Sequence, residues 1–336
     1  MSERAKTHTK KQTGEARGFS LLEMMISMAI LVAISGVVMS GLLQTTHTEG
    51  SVQNRTEMHA AVRSATELMQ QEIGQAGRIS LPPITNIQIT TAIPVSGTFN
   101  PGSYTATLTS GATAGMFVGE YLVVDAGSNQ ETVRISAISG NTITAWFNIA
   151  HAANIPVNVQ GGFGTGVVPE TSVGMLNGSD ATHLKIYGDI NGDGNMVYVE
   201  YTCDWAGSGN LYRSETAFNA ASVSANQVLL PNLYNQGNPN NTPCFVYQEQ
   251  PTNCNATSAT SPCFVTDVAV TLTVQTALPD PSTGQYQRET KALLNVSPRN
   301  VFDAYQLFSF SPTRVQPMPA TIGPCATGST ACLTGF

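Results

Sequence analysis

A long run of uncharged, mostly apolar residues near the amino terminus restricts the possible folds of this chain more than any other feature. The run extends from Met24 to Leu43 and contains no Asp, Glu, Lys or Arg. As a helix that rises about 1.5 Å per residue, it covers about 30 Å, which is the thickness of the hydrocarbon layer of a bilayer. We therefore expect one membrane-spanning helix, with the remaining residues folded outside the bilayer.

The charges around this run predict its orientation. Residues 1–18 have five basic and two acidic side chains, a local net charge of +3, whereas the whole chain carries −7. A basic segment next to an apolar helix stays on the cytoplasmic side, so residues after 43 should lie across the inner membrane. The acidic remainder offers little support for nucleic-acid binding, which depends on basic side chains that neutralise phosphates.

One acidic side chain, Glu23, stands directly before the apolar run. An ionised carboxylate toward the membrane interior costs a few kcal/mol unless it is paired or neutralised, so a plain anchor helix leaves Glu23 unexplained. After the plain anchor helix, a cleaved secretory signal is the second alternative reading of the apolar run. Such a signal has a shorter apolar region that ends at a small-residue cleavage site, and residues 38–50 offer no convincing site.

The stretch "RGFSLLEMMISMAILVAISG", residues 17–36, resembles the class III signal of type IV prepilins and pseudopilins. The resemblance implies that prepilin peptidase removes the basic leader, residues 1–18, by cutting between Gly18 and Phe19 and then methylates the amine of Phe19. It also implies that Glu23, the fifth residue of the mature chain, pairs with the amine of a neighbouring subunit. Such a pair offsets the desolvation of both charges.

Beyond the transmembrane and filament-core helix, residues 19–43, an amphipathic continuation is predicted over residues 44–78. Its apolar side chains recur at spacings of three and four, which indicates one buried stripe. The stripe consists of Met58, Val62, Ala65, Met69, Ile73 and Ala76. Within it, "VRSATELMQQEIGQAG" resembles the end of the helix in PilW-type minor pilins, and "VYVEY" with "LYR" resembles the same proteins and pseudopilin J.

The rest of the chain is predicted to be rich in β-structure. Charged residues make up only 11% of the sequence, and short alternating segments are separated by Gly, Ser and Asn turns. We predict an inserted β-rich module at 84–160, similar to a compact β-barrel of surface proteins, a pilin β-sheet head at 161–310, with its last strand at 290–301, and a C-terminal loop at 311–336. The expected fold class is α+β, a long helix packed on an antiparallel sheet.

The segment "DINGDGNMVYVE" fits the template of a calcium-binding loop. Carboxylate, amide and carbonyl oxygens at alternate positions can surround a hard cation, and a glycine permits the tight turn. The candidate ligands are Asp189, Asn191, Asp193, Asn195 and Glu200. The flanks read as strands and position nine is an apolar valine, so a hairpin turn without a metal is the alternative.

Six cysteines follow the apolar run, on the side of the membrane where disulfides persist. They are Cys203, Cys244, Cys254, Cys263, Cys325 and Cys332. Six cysteines allow 15 complete pairings, and the sequence does not select one. A short bridge between Cys325 and Cys332 is plausible, as is one local bridge among Cys244, Cys254 and Cys263.

The sequence contains no motif of a metalloprotease, a serine hydrolase or a phosphate-binding loop, so we expect a structural protein and not an enzyme. The resemblance implies a minor pilin of the PilW type, which helps to initiate or cap a type IV pilus together with other major and minor pilins. Two alternatives stay open: a pseudopilin J of type II secretion, and an adhesin or DNA-capture subunit displayed on the pilus. Before assembly the head would lie in the periplasm, and afterwards on the cell surface.

Overall fold

The computed structural model describes residues 18–234, 242–256, 258 and 262–325. The leader before Gly18 and the last cysteine, Cys332, lie outside these residues. The fold is α+β: a long apolar helix at the N-terminus and a large antiparallel β-region. The chain divides into two units, which are described separately. The first ends at Gln53 and also includes Asp280–Gln285, and the second contains the other described residues.

The first unit is the N-terminal part of helix α1, which begins at Leu21 and continues without a break to Gln75. The apolar part is long enough and apolar enough to cross a membrane once. Hydroxyl groups within it bond to carbonyl oxygens of the preceding turn, as Ser40 does to Val37 at 2.9 Å. These polar side chains are therefore satisfied inside the helix and do not oppose insertion into lipid.

In the second unit, the C-terminal part of α1 contributes the predicted apolar stripe to the core. All six stripe residues, from Met58 to Ala76, are buried, and this prediction is confirmed. The helix ends where Gly77 adopts a positive φ of 85°. There the chain crosses Gly166 so closely that a Cβ added to Gly166 would lie 2.3 Å from the Gly77 nitrogen. Only glycine permits this contact.

The segment after the helix forms a six-stranded antiparallel sheet with a hydrophobic core of its own. Its strands are β1 Gln88–Ile89, β2 Gly102–Thr107, β3 Tyr121–Val124, β4 Glu131–Ser139, β5 Thr142–Phe147 and β6 Ile155–Val159. They lie in the order β1-β6-β3-β4-β5-β2, and a bridge between Ile89 and Leu108 connects the two edges. The sheet therefore curls into a half-barrel within the range predicted for the inserted module.

Two further antiparallel sheets follow. The first contains β7 His183–Gly188, β8 Val197–Asp204, β9 Asn210–Ala217 and β10 Gln227–Leu230, and the second contains β11 Phe245–Gln250, β12 Phe264–Gln275 and β13 Arg288–Val296. In the first sheet β7 is an edge strand next to β8. Both sheets pack on the stripe of α1 in one continuous core.

The prediction of a last strand over 290–301 is wrong for its final residues. β13 stops at Val296, and helix α2 occupies Arg299–Phe310. Pro298 precedes the helix and supplies a backbone angle that suits a helix start. Val301 and Ala304 lie on its buried face, so a helix covers the core where the sequence analysis predicts only sheet and loop.

Two disulfides are present among the described residues. Cys203 in β8 is joined to Cys244, just before β11, so a covalent bond connects the two later sheets. Cys254 is joined to Cys263, nine residues later, which is the local bridge that the spacing allows. Cys325 is also disulfide-bonded.

A buried carboxyl group, Glu120, is expected to make the stability of the half-barrel depend on pH. Glu120 is fully buried; its Oε2 accepts the Phe117 N–H at 3.2 Å, and its Oε1 has no hydrogen-bond partner among the described residues. Burial raises the pKa of Glu120 to about 8. Because the folded-state pKa lies above the unfolded one, this group favours folding at low pH, and that contribution is lost as the pH rises through about 8.

We expect Glu120→Gln to stabilise the protein at about pH 9 and to leave it nearly unchanged at about pH 5, because glutamine cannot acquire the buried charge. The measurement is the thermal midpoint of the detergent-solubilised chain at both pH values. Asp303→Asn, at an exposed position of α2, is the control and should not change the pH dependence. An identical pH dependence in wild type and Glu120→Gln would contradict the prediction.

Candidate functional site

The residues predicted for processing and assembly lie at the start of α1. Gly18 and Phe19 precede the helix in exposed, non-helical backbone, and Phe19 is 79% exposed. The Ser20 carbonyl accepts the N–H groups of Glu23 at 3.0 Å and Met24 at 3.1 Å, which closes the first turn. The peptide bond between Gly18 and Phe19 is therefore outside the helical hydrogen-bond ladder.

Glu23 is the sole ionisable side chain between Gly18 and Leu43. It lies in the first turn of α1, where the partial positive charge of the helix amino terminus favours a carboxylate. Its side chain is exposed and makes no ion pair with another described residue. The position thus presents a negative charge with room for a cationic partner.

The surface around Glu23 is apolar on every side of the helix. No residue of the apolar part of α1 is buried, and the large apolar side chains from Leu21 to Leu43 are about half exposed or more. A helix that is apolar all round is stable only when lipid or other apolar helices cover it. This part of the helix therefore offers a partner an apolar surface and one carboxylate near the N-terminus.

The candidate calcium ligands lie in and beside the turn between β7 and β8. Asp189 is fully buried; its Oδ2 accepts the Ser80 hydroxyl at 2.9 Å and lies 3.5 Å from Nε of Arg78, and its Oδ1 accepts the Gly194 N–H at 3.2 Å. Asp193 is exposed, and its Oδ1 accepts the Asn195 N–H at 2.8 Å. These bonds are those of a structured turn, and Arg78 competes with any cation for Asp189.

Glu200, the expected last ligand, lies in β8 directly opposite Lys185 of β7. Its nearest charged neighbours are Lys185, His183 and Asp180, and burial raises its pKa. Nothing in these contacts directs Glu200 to Asp189, so calcium binding at Asp189, Asn191, Asp193, Asn195 and Glu200 stays a prediction. Among the described residues, one other cluster has metal-ligand types, Glu249 with Cys254 and Cys263, but these cysteines form a disulfide.

A buried ionic cluster connects α1 to the sheet of β7–β10, and it is not among the sites predicted from the sequence. The Glu72 carboxylate accepts bonds from the Arg213 guanidinium, with Nη2 at 2.5 Å from Oε1 and Nε at 3.2 Å from Oε2. The Tyr201 hydroxyl donates to the same carboxylate, and Arg213 Nη2 also reaches Glu215 at 2.6 Å. A signal was present: Glu72 lies three residues after Met69 and four before Ala76, inside the buried stripe.

A second unexpected cluster lies in the half-barrel. The fully buried His151 side chain has Nδ1 at 3.0 Å from Asp125 Oδ2 and Nε2 at 2.7 Å from Glu131 Oε1. Each ring nitrogen therefore lies against one carboxylate. The hydrogen bond from His151 lowers the pKa of Asp125. His151 therefore links the ends of β3 and β4 to the segment before β6, which is a structural role.

No family model, no curated protein and no solved structure matches this chain. Its function therefore has to be argued from its own residues. Among the described residues, the strongest functional signal is the N-terminal part of α1, where the exposed Gly18 and Phe19 precede a single carboxylate, Glu23, on an otherwise apolar helix.

Proposed function

We propose that this protein is a minor subunit of a type IV pilus, of the PilW type, which is cleaved between Gly18 and Phe19 and joins the filament through its N-terminal helix. One observation carries the proposal: Glu23 is the single charge in the exposed apolar part of α1, before residue 44, and lies four residues after Phe19. Cleavage creates an amine at Phe19 close to that carboxylate. Each subunit then carries one cation and one anion at the same end of an apolar helix.

This arrangement favours association of helices in a fixed register. In a poorly solvated bundle, an isolated charge costs several kcal/mol, and an amine paired with a carboxylate recovers much of that cost. The apolar surface alone would permit sliding, because lipid and neighbouring helices are about equally apolar. The amine of one subunit meeting Glu23 of the next would set the axial position.

The size of the exported part supports a minor role. Removal of 18 residues leaves 318, and the described residues beyond α1 form three sheets and a second helix. So large a head is difficult to repeat along a closely packed fibre, but one copy fits at a filament end. The protein would thus act by contact with prepilin peptidase and other pilins, without catalysis of its own.

The function is tested by deleting the gene in its own bacterium and restoring it with wild type or with a variant that lacks residues 84–160. For a minor pilin we expect the deletion to abolish or strongly reduce surface pili while protein secretion continues. Loss of secretion with normal pili would instead identify a type II secretion pseudopilin. If the variant without the half-barrel restores pili but not adhesion or DNA uptake, that module is the binding surface of a displayed subunit.

A further inference from the structure

An exposed tryptophan lies on the outer face of the half-barrel. Trp146 in β5 is 57% exposed, whereas its neighbours along the strand, Ala145 and Phe147, are fully buried. Side chains alternate between the two faces of a strand, so Trp146 projects outward from the sheet. Single apolar side chains at a surface are common, and exposure alone does not identify a site. The contacts of the ring and the side chains around it are therefore decisive.

The indole ring of Trp146 is held by a chain of hydrogen bonds that reaches into the protein interior. Its Nε1–H donates to Oδ1 of Asn148 at 3.2 Å. The N–H and the Nδ2 group of Asn148 donate to Oε2 of Glu131 at 2.9 and 3.3 Å. The other oxygen of Glu131 lies 2.7 Å from Nε2 of His151, whose side chain is fully buried. The ring is thus ordered before a ligand arrives, which lowers the entropic cost of binding.

Hydroxyl groups lie around the ring on the same face of the sheet. Thr144 stands two residues before Trp146 in β5 and so shares its face. Ser103 of β2 is directly opposite Trp146, and the next outward residue of β2, Thr105, is directly opposite Thr144. The Cβ atoms of such cross-strand pairs are about 4.5–5.5 Å apart. Because each hydroxyl group can both donate and accept, the ring is bordered by groups that suit a polar, uncharged ligand.

The charges of the half-barrel also indicate an uncharged ligand. Residues 84–160, which are all described, contain four charged side chains, Glu120, Asp125, Glu131 and Arg134. Glu120 is buried, and the other two acids contact His151. The guanidinium of Arg134 lies over the Tyr121 ring at 5.8 Å, in β3, which is on the other side of β4 from β5. No basic side chain of this module is therefore directed to Trp146, as recognition of phosphate or carboxylate groups requires.

We propose that the outer face of β2 and β5, centred on Trp146, binds a neutral oligosaccharide. A sugar ring has a face of C–H groups, which pack on the electron-rich face of an indole, and hydroxyl groups at its edge. The hydroxyl groups of Ser103, Thr105 and Thr144 lie where they can bond to that edge. Such a combination of one apolar platform and a few polar groups is typical of small-molecule sites.

A protein partner fits this face less well. Within β2, β4 and β5, which are described in full, Trp146 is the only large apolar side chain that is exposed. The face therefore lacks the apolar cluster that forms the centre of most protein interfaces. The inference rests on contacts of the half-barrel alone and does not depend on the pilus assignment. Binding by the purified chain and piliation of cells can each fail without the other.

The test is direct binding by the full chain, purified in a detergent whose head group is not a sugar, because an alkyl glycoside would compete. The probes are immobilised neutral oligosaccharides of glucose, galactose, mannose and N-acetylhexosamines, with sialylated oligosaccharides and oligothymidylate as anionic comparisons. We expect at least one neutral oligosaccharide to bind. Calorimetric titration with that oligosaccharide then gives the Kd for wild type and variants.

Trp146→Ala is expected to raise this Kd at least about tenfold, since tryptophans at the centre of a contact are typical hot spots. Ser103→Arg should have a similar effect, because a long side chain from the neighbouring strand would cover the ring. Phe310→Ala is the control and should bind like wild type, because it removes an aromatic side chain that is 82% exposed at the end of α2.

The proposal is overturned if no neutral oligosaccharide binds, or if only the anionic probes bind. It is also overturned if Trp146→Ala and Ser103→Arg bind as tightly as wild type. The thermal midpoint of each variant shows whether it is folded. If Trp146→Ala does not fold, Ser103→Arg at its exposed position decides the question.

Discussion

Glu23→Ala is expected to be processed normally but to be depleted from filaments by at least about tenfold. The substitution leaves the cleavage site between Gly18 and Phe19 intact, so the leader should still be removed. It also leaves the amine of a neighbouring subunit without its anion in a poorly solvated bundle. Removing one partner of a buried pair costs about 3–5 kcal/mol, and each 1.4 kcal/mol corresponds to about a factor of ten in an equilibrium.

The measurement is the ratio of the protein in filaments sheared from the cells to the protein in the membrane fraction. Glu23→Gln has nearly the same size without the charge and should behave like Glu23→Ala. Glu49→Ala is the matched control, because Glu49 is an exposed acid of the same helix beyond the apolar run, and it should assemble like wild type. If Glu23→Ala assembles like wild type, charge pairing at this position does not direct assembly.

The sequence predicts those helices and strands whose apolar residues repeat at a regular, short spacing. The stripe from Met58 to Ala76 repeats at helical spacing, and every member is buried. Strand alternation likewise locates the half-barrel. Helix α2 also had a signal, since Val301, Ala304, Tyr305 and Phe308 recur at spacings of three and four. That pattern is short and follows β13 without a clear turn beyond Pro298, so it does not stand out as a separate helix.

The contacts that join distant segments could not be predicted, for a physical reason. Glu72 and Arg213 are 141 residues apart, and their pairing depends on how α1 rotates on the sheet. Lys185 meets Glu200 because of the exact register of β7 and β8, and a shift by one residue would place them on opposite faces. The Cys203–Cys244 disulfide likewise requires the relative position of two sheets, and cysteine spacing carries no information on it.

Arg213→Met is expected to lower the stability of the second unit by about 3–5 kcal/mol. Glu72 is 4% exposed, and Arg213 supplies the positive charge that compensates its carboxylate. Methionine fills a similar volume. It leaves the Glu72 carboxylate with the hydrogen bond from the Tyr201 hydroxyl but without a positive charge nearby. The penalty is therefore mainly the cost of an uncompensated buried charge, and the loss of the hydrogen bonds that Arg213 donates contributes less.

A double-mutant cycle separates these two contributions. If the penalty comes from the unpaired charge, the double variant Glu72→Met with Arg213→Met should be more stable than Arg213→Met alone, because it removes the stranded carboxylate and adds apolar packing. The measurement is the thermal midpoint of the detergent-solubilised chain. Arg63→Met, which breaks an exposed pair with Glu67 on the same helix, should leave the midpoint unchanged. If the double variant loses as much stability as the two single variants lose together, Glu72 and Arg213 contribute independently. The ion pair would then not hold α1 on the sheet.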